Sequence, residues 1–267
     1  MIEVESLSKS YGETRVLDSV SVALAKSGVT AIIGPNGAGK STLLSIIGRI
    51  LKADGGRVSV DGLDIATTPG DVIARRLSVL RQDNHMSARL TVRDLVTFGR
   101  FPYSKGRYTV EDKAHVERAI GFLGLEDLAD RFLDELSGGQ RQRAFIAMVL
   151  CQDTDYVLLD EPLNNLDIKH AIAIMRLIRN AARDLGKTVV VVLHDINMAA
   201  AHCDRIMVLK NAHIALHGTP DEVMAHPDSL TGKYLSGRVK INYRPERTRR
   251  DPKMLEGGLD IRQFPPA

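Results

Sequence analysis

The sequence predicts an α/β fold with a mostly parallel sheet, an N-terminal antiparallel β subdomain and an inserted helical subdomain. Three observations predict it. Residues 2–25 alternate apolar and polar side chains, as half-exposed antiparallel strands do. The runs at 29–33, 156–160 and 188–193 are almost continuously apolar, which is typical of strands covered on both faces. Residues 83–135 carry helix signals and no strand pattern.

Composition places the chain among soluble globular proteins. It has 267 residues, of which 44% are hydrophobic and 26% charged, and no apolar run approaches the ~20 residues that cross a bilayer. Cys151 and Cys203 lie far apart in apolar surroundings, so we expect buried, reduced thiols. Residues 238–267 hold eight Lys/Arg against four Asp/Glu and form a basic C-terminal tail. Residues 1–237 have a net charge close to zero, so they lack the broad basic surface that nucleic-acid binding needs.

A glycine-rich segment follows the first covered strand. Residues 34–42 fit the G-x-x-x-x-G-K-[ST] phosphate-binding loop, in which glycines let backbone N–H groups approach a triphosphate. We expect Lys40 to reach the β- and γ-phosphates and the Ser41 hydroxyl to coordinate Mg²⁺. Apolar residues at helical spacing from Leu43 to Leu51 predict a helix over that span. The sequence thus predicts a phosphate-loop NTPase core, with nucleotide-binding candidates Gly34, Pro35, Asn36, Gly37, Ala38, Gly39, Lys40, Ser41 and Thr42.

Polar side chains follow three further strands at their carboxyl ends, where ligands of α/β sheets bind. The apolar strand that starts at Tyr156 ends in Asp160 and Glu161, so we expect Asp160 to hold Mg²⁺ through water and Glu161 to act as general base. His194 follows the next strand and is a candidate contact to the γ-phosphate. Gln82 follows the short strand at 77–81 and is a candidate contact to Mg²⁺ or the attacking water. For Gln82 and His194 a purely structural role is the alternative.

A second glycine pair opens a helix at residues 136–143. Ser137 is a good N-cap, yet Gly138 and Gly139 in a first helical turn cost roughly 1 kcal/mol each relative to alanine. We infer that this turn needs bare backbone N–H groups for a second phosphate contact. The alternative is an ordinary cap. Asp167 is predicted to cap a further helix over 168–185.

Two threonine–aspartate pairs predict helix starts in the inserted region. Thr91 with Asp94, and Thr109 with Asp112, have the spacing of capping boxes with Asp in place of Glu.

Aromatic residues are few, so their positions are informative. Phe98, Phe101 and Tyr103 cluster in the helical region; core packing and a partner-docking surface both account for them. Tyr11 lies in the turn between two N-terminal strands, where an exposed ring can stack on adenine; a plain surface tyrosine is the alternative.

These motifs together resemble the nucleotide-binding subunit of ABC transporters. The order and spacing of the phosphate loop, Gln82, Leu136–Gln140, Asp160-Glu161 and His194 match that family over residues 2 to about 225. The resemblance implies an ATPase domain over 1–237, with its helical insert at about 83–150. It also implies a homodimer that sandwiches ATP between the Lys40 loop of one subunit and the partner-facing candidates Ser137, Gly138, Gly139 and Gln140 of the other. Tyr11 then matches the adenine-stacking position and Asp167 the loop that crosses the dimer interface.

Three segments resemble ferric-siderophore importers more closely, namely 91–103, 144–150 and 161–167. That resemblance implies ATP and Mg²⁺ as cofactors and integral-membrane permease subunits as partners. It further implies an extracytoplasmic siderophore-binding protein in the same system, and a peripheral location on the cytoplasmic face of the cell membrane. Importers of haem and cobalamin share the architecture, so they stay open as alternatives.

One stretch resembles a different protein. Residues 218–223 and 229–238 are similar to the end of the DNA-repair excinuclease ATPase subunit, which makes an ABC ATPase acting on nucleic acid the other hypothesis. Against it, that family carries zinc-binding cysteine clusters, and two scattered cysteines cannot form one. No nucleic-acid partner is therefore expected.

Overall fold

The computed structural model describes residues 1–83 and 88–226. The strands of this part are β1 Ile2–Tyr11, β2 Thr14–Leu24, β3 Gly28–Ile33, β4 Gly55–Val60, β5 Leu63–Asp64, β6 Leu77–Leu80, β7 Tyr156–Asp160, β8 Thr188–Val192, β9 Arg205–Lys210 and β10 His213–Gly218. Its α-helices are α1 Lys40–Ile47, α2 Gly70–Ala74, α3 Val92–Phe98, α4 Phe101–Ser104, α5 Val110–Phe122, α6 Gly138–Cys151, α7 Ile168–Asp184, α8 Ile196–His202 and α9 Pro220–Ala225.

The N-terminal subdomain is an antiparallel sheet in the order β2-β1-β4-β5. Its first hairpin turns at Gly12, whose φ of 57° is easily reached by glycine. The predicted antiparallel subdomain is confirmed, and its first two strands have 10 and 11 residues.

The central sheet has the order β10-β9-β3-β8-β7-β6, in which all neighbours except β10 and β9 run parallel. Every residue of β7 and β8 is buried, as their apolar sequences predict. Because the strands are parallel, their carboxyl ends lie along one edge. The phosphate loop, Gln82, Glu161 and His194 all follow strands at that edge.

Two apolar cores cover the two faces of this sheet. Alternate residues of β8 divide between them, with Val190 and Val192 packing on the side of α1 and the antiparallel sheet. Val189 and Val191 pack on the side of the helical region and α7. Both faces are thus covered, which explains the unbroken valine run.

The inserted region is helical, as predicted. Capping boxes form at Thr91 with Asp94 and at Thr109 with Asp112, and they begin α3 and α5. These helices pack on α6 in the same apolar core.

The aromatic cluster of this region is largely exposed. The side chains of Phe98 and Phe101 are 43% and 58% exposed, so core packing is wrong for these two residues. Tyr103 is half-buried, and its ring lies 4.0 Å from the guanidinium of Arg100. Phe98 and Phe101 therefore remain candidates for contact with a partner.

The helix predicted to reach Leu51 ends at Ile47. Arg49 adopts a left-handed φ of 58°, and the N–H of Ile50 returns to the carbonyl of Ser45 at 2.8 Å. This bonding pattern satisfies the last carbonyls of α1 and turns the chain away. Ile50 leaves the apolar face and is 46% exposed.

Both cysteines are free and buried, as predicted for reduced thiols, and burial raises the pKa of each to about 12. No helix within 1–83 or 88–226 combines the length and hydropathy that a membrane crossing requires. The tail 238–267, the domain end at 237 and the segment 229–238 lie outside the described residues.

Candidate functional site

A cavity of about 490 Å³ opens at the carboxyl edge of the parallel sheet. It brings together residues from five separate parts of the sequence. They are Tyr11, Val16, Asn36, Gly37, Ala38, Gly39, Lys40, Ser41, Thr42, Gln82, Glu161 and His194. Most of the predicted nucleotide and catalytic residues therefore share one cavity, whereas Val16 was not predicted.

Lys40 begins α1 and points back into the loop. Its ammonium donates hydrogen bonds to the backbone carbonyls of Gly34 and Pro35, each at 3.0 Å. The residue is only 5% exposed, and this burial lowers the pKa of the amine, although the carboxylates of Glu161 and Asp160 oppose the shift. A cation is thus held at the cavity with no carboxylate in direct contact among the described residues.

Two loop glycines are required by neighbouring backbone. At Gly34 a Cβ would lie 2.2 Å from the carbonyl oxygen of Leu209, and at Gly39 one would lie 2.4 Å from that of Val16. Around Gly37, with φ of 77°, no described atom lies within 4 Å of such a Cβ. Close approach of a ligand is therefore not needed to explain Gly34 or Gly39, and at Gly37 the left-handed φ itself favours glycine.

Ser41, which lines the cavity, bonds the buried Asp160 beneath it. The Ser41 hydroxyl donates to Asp160 Oδ1 at 2.9 Å. Burial raises the pKa of Asp160, and the charge of Glu161 adds to the rise, while the bond from Ser41 and the charge of Lys40 oppose it. A hydroxyl and a carboxylate side by side are the hard oxygen donors that Mg²⁺ prefers.

Glu161 is held by three side chains. Gln82 Nε2 donates to its Oε2 at 2.8 Å, Asn164 Nδ2 donates to the same oxygen at 2.5 Å, and His194 Nε2 lies 2.6 Å from its Oε1. The Glu161 backbone has a left-handed φ of 49°, a conformation that for a non-glycine residue stores strain and concentrates at functional sites. The carboxylate is therefore fixed in place at the cavity wall.

Asn164 was missed by the sequence-based predictions. Its backbone N–H bonds the Glu161 carbonyl at 3.2 Å, which closes a four-residue turn with Pro162 in second position. Proline at that position is a recognised turn signal, and the turn carries the Asn164 amide back over the carboxylate. That signal was available in the sequence.

The second predicted group lies apart from this cavity. The Ser137 hydroxyl accepts from the Gln140 N–H at 3.3 Å, and Gln140 Oε1 accepts from the Ser137 N–H at 2.9 Å. Ser137 and Gly138 are exposed, while Gly139 is buried. Asp167 caps α7 as predicted, through a 2.8 Å bond from the His170 N–H. None of these residues lines the cavity formed by the described part of the chain.

Comparisons with known proteins agree with this geometry. The family profile described as ABC transporter matches residues 17–164. The petrobactin import ATP-binding protein YclP of Bacillus subtilis (strain 168) is 52% identical over 224 residues, covering 84% of this chain and 89% of YclP. The ferric enterobactin transport ATP-binding protein FepC of Escherichia coli (strain K12) is 40% identical over 222 residues, covering 82% of each chain.

Solved structures give the same result. The ATP-binding cassette MJ0796, described as a dimer in a post-hydrolysis state bound to ADP and Pi, is similar with a TM-score of 0.72 and 31% identity. That similarity covers 82% of this chain and 99% of MJ0796. CbiO1 of Clostridium perfringens, described as part of the ABC transporter complex cbiONQ, is similar with a TM-score of 0.75 and 31% identity, over 88% of this chain and 94% of cbiO1.

Proposed function

The chain belongs to the ABC transporter family, as an ATP-binding subunit, and from this premise we propose that it hydrolyses ATP to power the import of ferric siderophores. The observation that carries the proposal is the cavity in which Lys40, Ser41, Gln82, Glu161 and His194 converge. The relatives YclP and FepC, named for petrobactin and ferric enterobactin, support the substrate class.

Phosphate binding falls to the loop and to Lys40. Backbone N–H groups at the start of α1 and the helix dipole favour an anion, and the buried Lys40 ammonium adds a full charge. Its bonds to two neutral carbonyls are ones that phosphate oxygens can replace without breaking an ion pair.

The donors near Ser41 fit Mg²⁺. Ser41 and Asp160 supply adjacent oxygens, and Gln82 adds an amide within the same cavity. Among the described residues no group of three or more His, Cys, Asp or Glu side chains forms a metal cage, which fits an ion shared with substrate phosphates. When bound, Mg²⁺ neutralises phosphate charge.

Glu161 is the proposed general base. Its carboxylate, fixed by Gln82, Asn164 and His194, accepts the proton of the attacking water, and the three donors set its direction. The His194 side chain lines the cavity and is 45% exposed, so the ring that bonds Glu161 through Nε2 is also placed to contact a terminal phosphate. Gln82 therefore has two proposed roles. Its amide orients the Glu161 carboxylate, and it lies near the site proposed for Mg²⁺.

The site is proposed to be completed by a second subunit. Ser137 and Gly138 are exposed at the N-terminus of α6, away from the cavity of their own chain. In a homodimer they close over the nucleotide on the partner's Lys40 loop, with Gln140 holding the turn and Asp167 at the interface. Tyr11, 53% exposed at the cavity rim, stacks on the adenine.

The proposed location and partners of the subunit follow from the importer class. We place the subunit on the cytoplasmic face of the membrane, bound to permease subunits that receive substrate from an extracytoplasmic siderophore-binding protein. The ATPase domain is proposed to span 1–237. Haem and cobalamin importers remain the nearest alternatives, while action on nucleic acid is not favoured by the relatives found.

Reconstitution tests the proposal. The subunit, co-purified with its permease and placed in liposomes, is expected to release phosphate from MgATP and to accumulate ⁵⁵Fe-siderophore when the binding protein is present. Haem and cobalamin serve as matched substrates in the same assay. Absence of ATP turnover in every preparation would overturn the enzyme assignment. Uptake of haem or cobalamin in place of iron would overturn only the substrate class.

A further inference from the structure

We propose that His170 is a positioning residue that couples the two ATP sites of the dimer, by holding the start of α6 against the start of α7 through Gly139. The inference rests on the proposed dimer, in which Glu161 serves one site and Ser137 the other. No motif in the sequence assigns this histidine a role.

The His170 imidazole is fixed in orientation. Its Nδ1 lies 2.8 Å from Asp167 Oδ2, and the His170 backbone N–H donates to Asp167 Oδ1 at 2.8 Å. A carboxylate only accepts, so Nδ1 carries the proton. Both side chains are more than half exposed, at 52% and 64%, so the pair is not part of the apolar core.

The edge of this ring lies against Gly139. A Cβ on Gly139 would lie 2.7 Å from His170 Cδ2, closer than real contacts allow, and 3.2 Å from its Cγ, which is tighter than most. The ring cannot swing aside without losing its bond to Asp167. At Gly138, by contrast, a Cβ would find Leu166 Cδ2 at 3.9 Å, an ordinary contact. The His170 ring therefore restricts position 139 to glycine, whereas it places no such restriction on position 138.

The contact between His170 and Gly139 joins the segment that carries Glu161 to the segment that carries Ser137. A loop of five residues connects Glu161 to Asp167, so a shift at Glu161 reaches the cap of α7. Asp167 holds the His170 ring, and the ring touches Gly139, which follows Ser137 and Gly138 at the start of α6. A change in one ATP site therefore moves the surface that this subunit presents to the other.

A double-mutant cycle isolates the contact. Gly139→Ala is expected to impair ATP turnover because its methyl group meets the ring. His170→Ala removes the ring, and we expect kcat to fall roughly three- to tenfold, as loss of one exposed hydrogen bond produces. ATP affinity of the isolated subunit should stay within about twofold, because His170 does not line the cavity of its own chain. The pair Gly139→Ala with His170→Ala should recover the activity of His170→Ala alone.

Two matched variants sharpen the cycle. His170→Asn places an amide N–H where Nδ1 lies, so it should retain most of the activity that His170→Ala loses. The double variant Gly138→Ala with His170→Ala should be no more active than Gly138→Ala alone, since Gly138 does not touch the ring.

Recovery specific to Gly139 supports the inference. A double variant as inactive as Gly139→Ala would overturn it, and would mean that Gly139 is small for the nucleotide of the partner. The same variants are also compared in a Glu161→Gln background, with ATP-driven dimerisation measured by sedimentation. This measurement requires no ATP turnover. An inactive wild-type complex would thus count against the proposed function, while the cycle would still decide the role of His170.

Discussion

His194 Nε2 lies 2.6 Å from Glu161 Oε1, although β8 and β7 deliver the two residues from positions 33 apart in the sequence. The contact arises because parallel neighbours end at the same edge of the sheet. It holds the carboxylate that we propose as general base beside the ring that we propose as a phosphate contact.

Glu161→Gln is expected to lower ATP turnover by about 10²- to 10⁴-fold, the usual contribution of a general base. ATP binding should persist because Lys40 and the loop are unchanged. The amide keeps the shape of the carboxylate and cannot accept the proton, so the subunit should accumulate as an ATP-bound dimer. Steady-state phosphate release and sedimentation with ATP measure the two effects.

Lys40→Ala is the contrasting change at the same cavity. It removes the charge that meets the phosphates, so ATP affinity should fall about tenfold or more, as for a lost hydrogen bond to a charged group. Fluorescent-nucleotide titration measures the affinity of both variants. Equal losses of affinity in Lys40→Ala and Glu161→Gln would contradict the separate roles.

Asp160→Asn is expected to raise the melting temperature of the nucleotide-free subunit at pH 7 while abolishing turnover. The pKa of Asp160 is raised by burial, so the folded protein disfavours the charged form. Below the ordinary pKa of about 3.9 both folded and unfolded states are protonated and this cost vanishes; it grows as the pH rises above that value and is complete once the pH exceeds the folded pKa. The stabilisation should therefore shrink as the pH is lowered.

Melting curves in EDTA from pH 7 to pH 4 test this. Asp155→Asn, at a side chain 58% exposed just before β7, is the matched control and should show no comparable gain. A melting temperature for Asp160→Asn at or below that of wild type at pH 7 would show that the buried charge of Asp160 does not destabilise the fold.

Asp112→Asn is expected to destabilise the helical region by about 3 kcal/mol, the lower end of what breaking a buried ion pair costs. Arg100 Nε donates to Asp112 Oδ1 at 2.9 Å, and both side chains are only 6% exposed. Hydrogen bonds from Thr109 and from Arg100 lower the pKa of Asp112, so its stabilising effect is present above the ordinary pKa and lost as the pH falls through the folded value.

Denaturant unfolding at pH 7 measures the loss. Asp94→Asn alters the equivalent capping box of α3, where the Asp94 carboxylate bonds Thr91 and no arginine of the described residues, and should cost far less. Similar losses from both variants would show that the cap, not the ion pair, carries the stability.

Phe101→Ala is expected to leave the melting temperature and ATP affinity of the isolated subunit nearly unchanged, because its ring is 58% exposed. If the ring docks the permease, co-purification and iron uptake should both decrease. Leu95→Ala, at a fully buried position of the same region, is the matched control and should cost about 2–5 kcal/mol. Normal assembly and uptake by Phe101→Ala would exclude this ring as an anchor.

The sequence by itself determined the elements and their ends wherever the signal is local. Capping boxes at Thr91 and Thr109 require only residues three apart, and strand burial in β7 and β8 follows from unbroken apolar runs. The phosphate loop and the residues after each strand were predictable because parallel topology gathers them at one edge; their individual roles stay predictions.

Tertiary structure alone decided the contacts between distant segments. Gly34 faces a carbonyl of β9, Phe98 and Phe101 face outward, and His170 meets Gly139. None of these depends on a periodic pattern, because each is set by how separate elements approach one another. Hydrogen bonds within a few residues are encoded locally, whereas steric fit between elements exists only once the chain has packed.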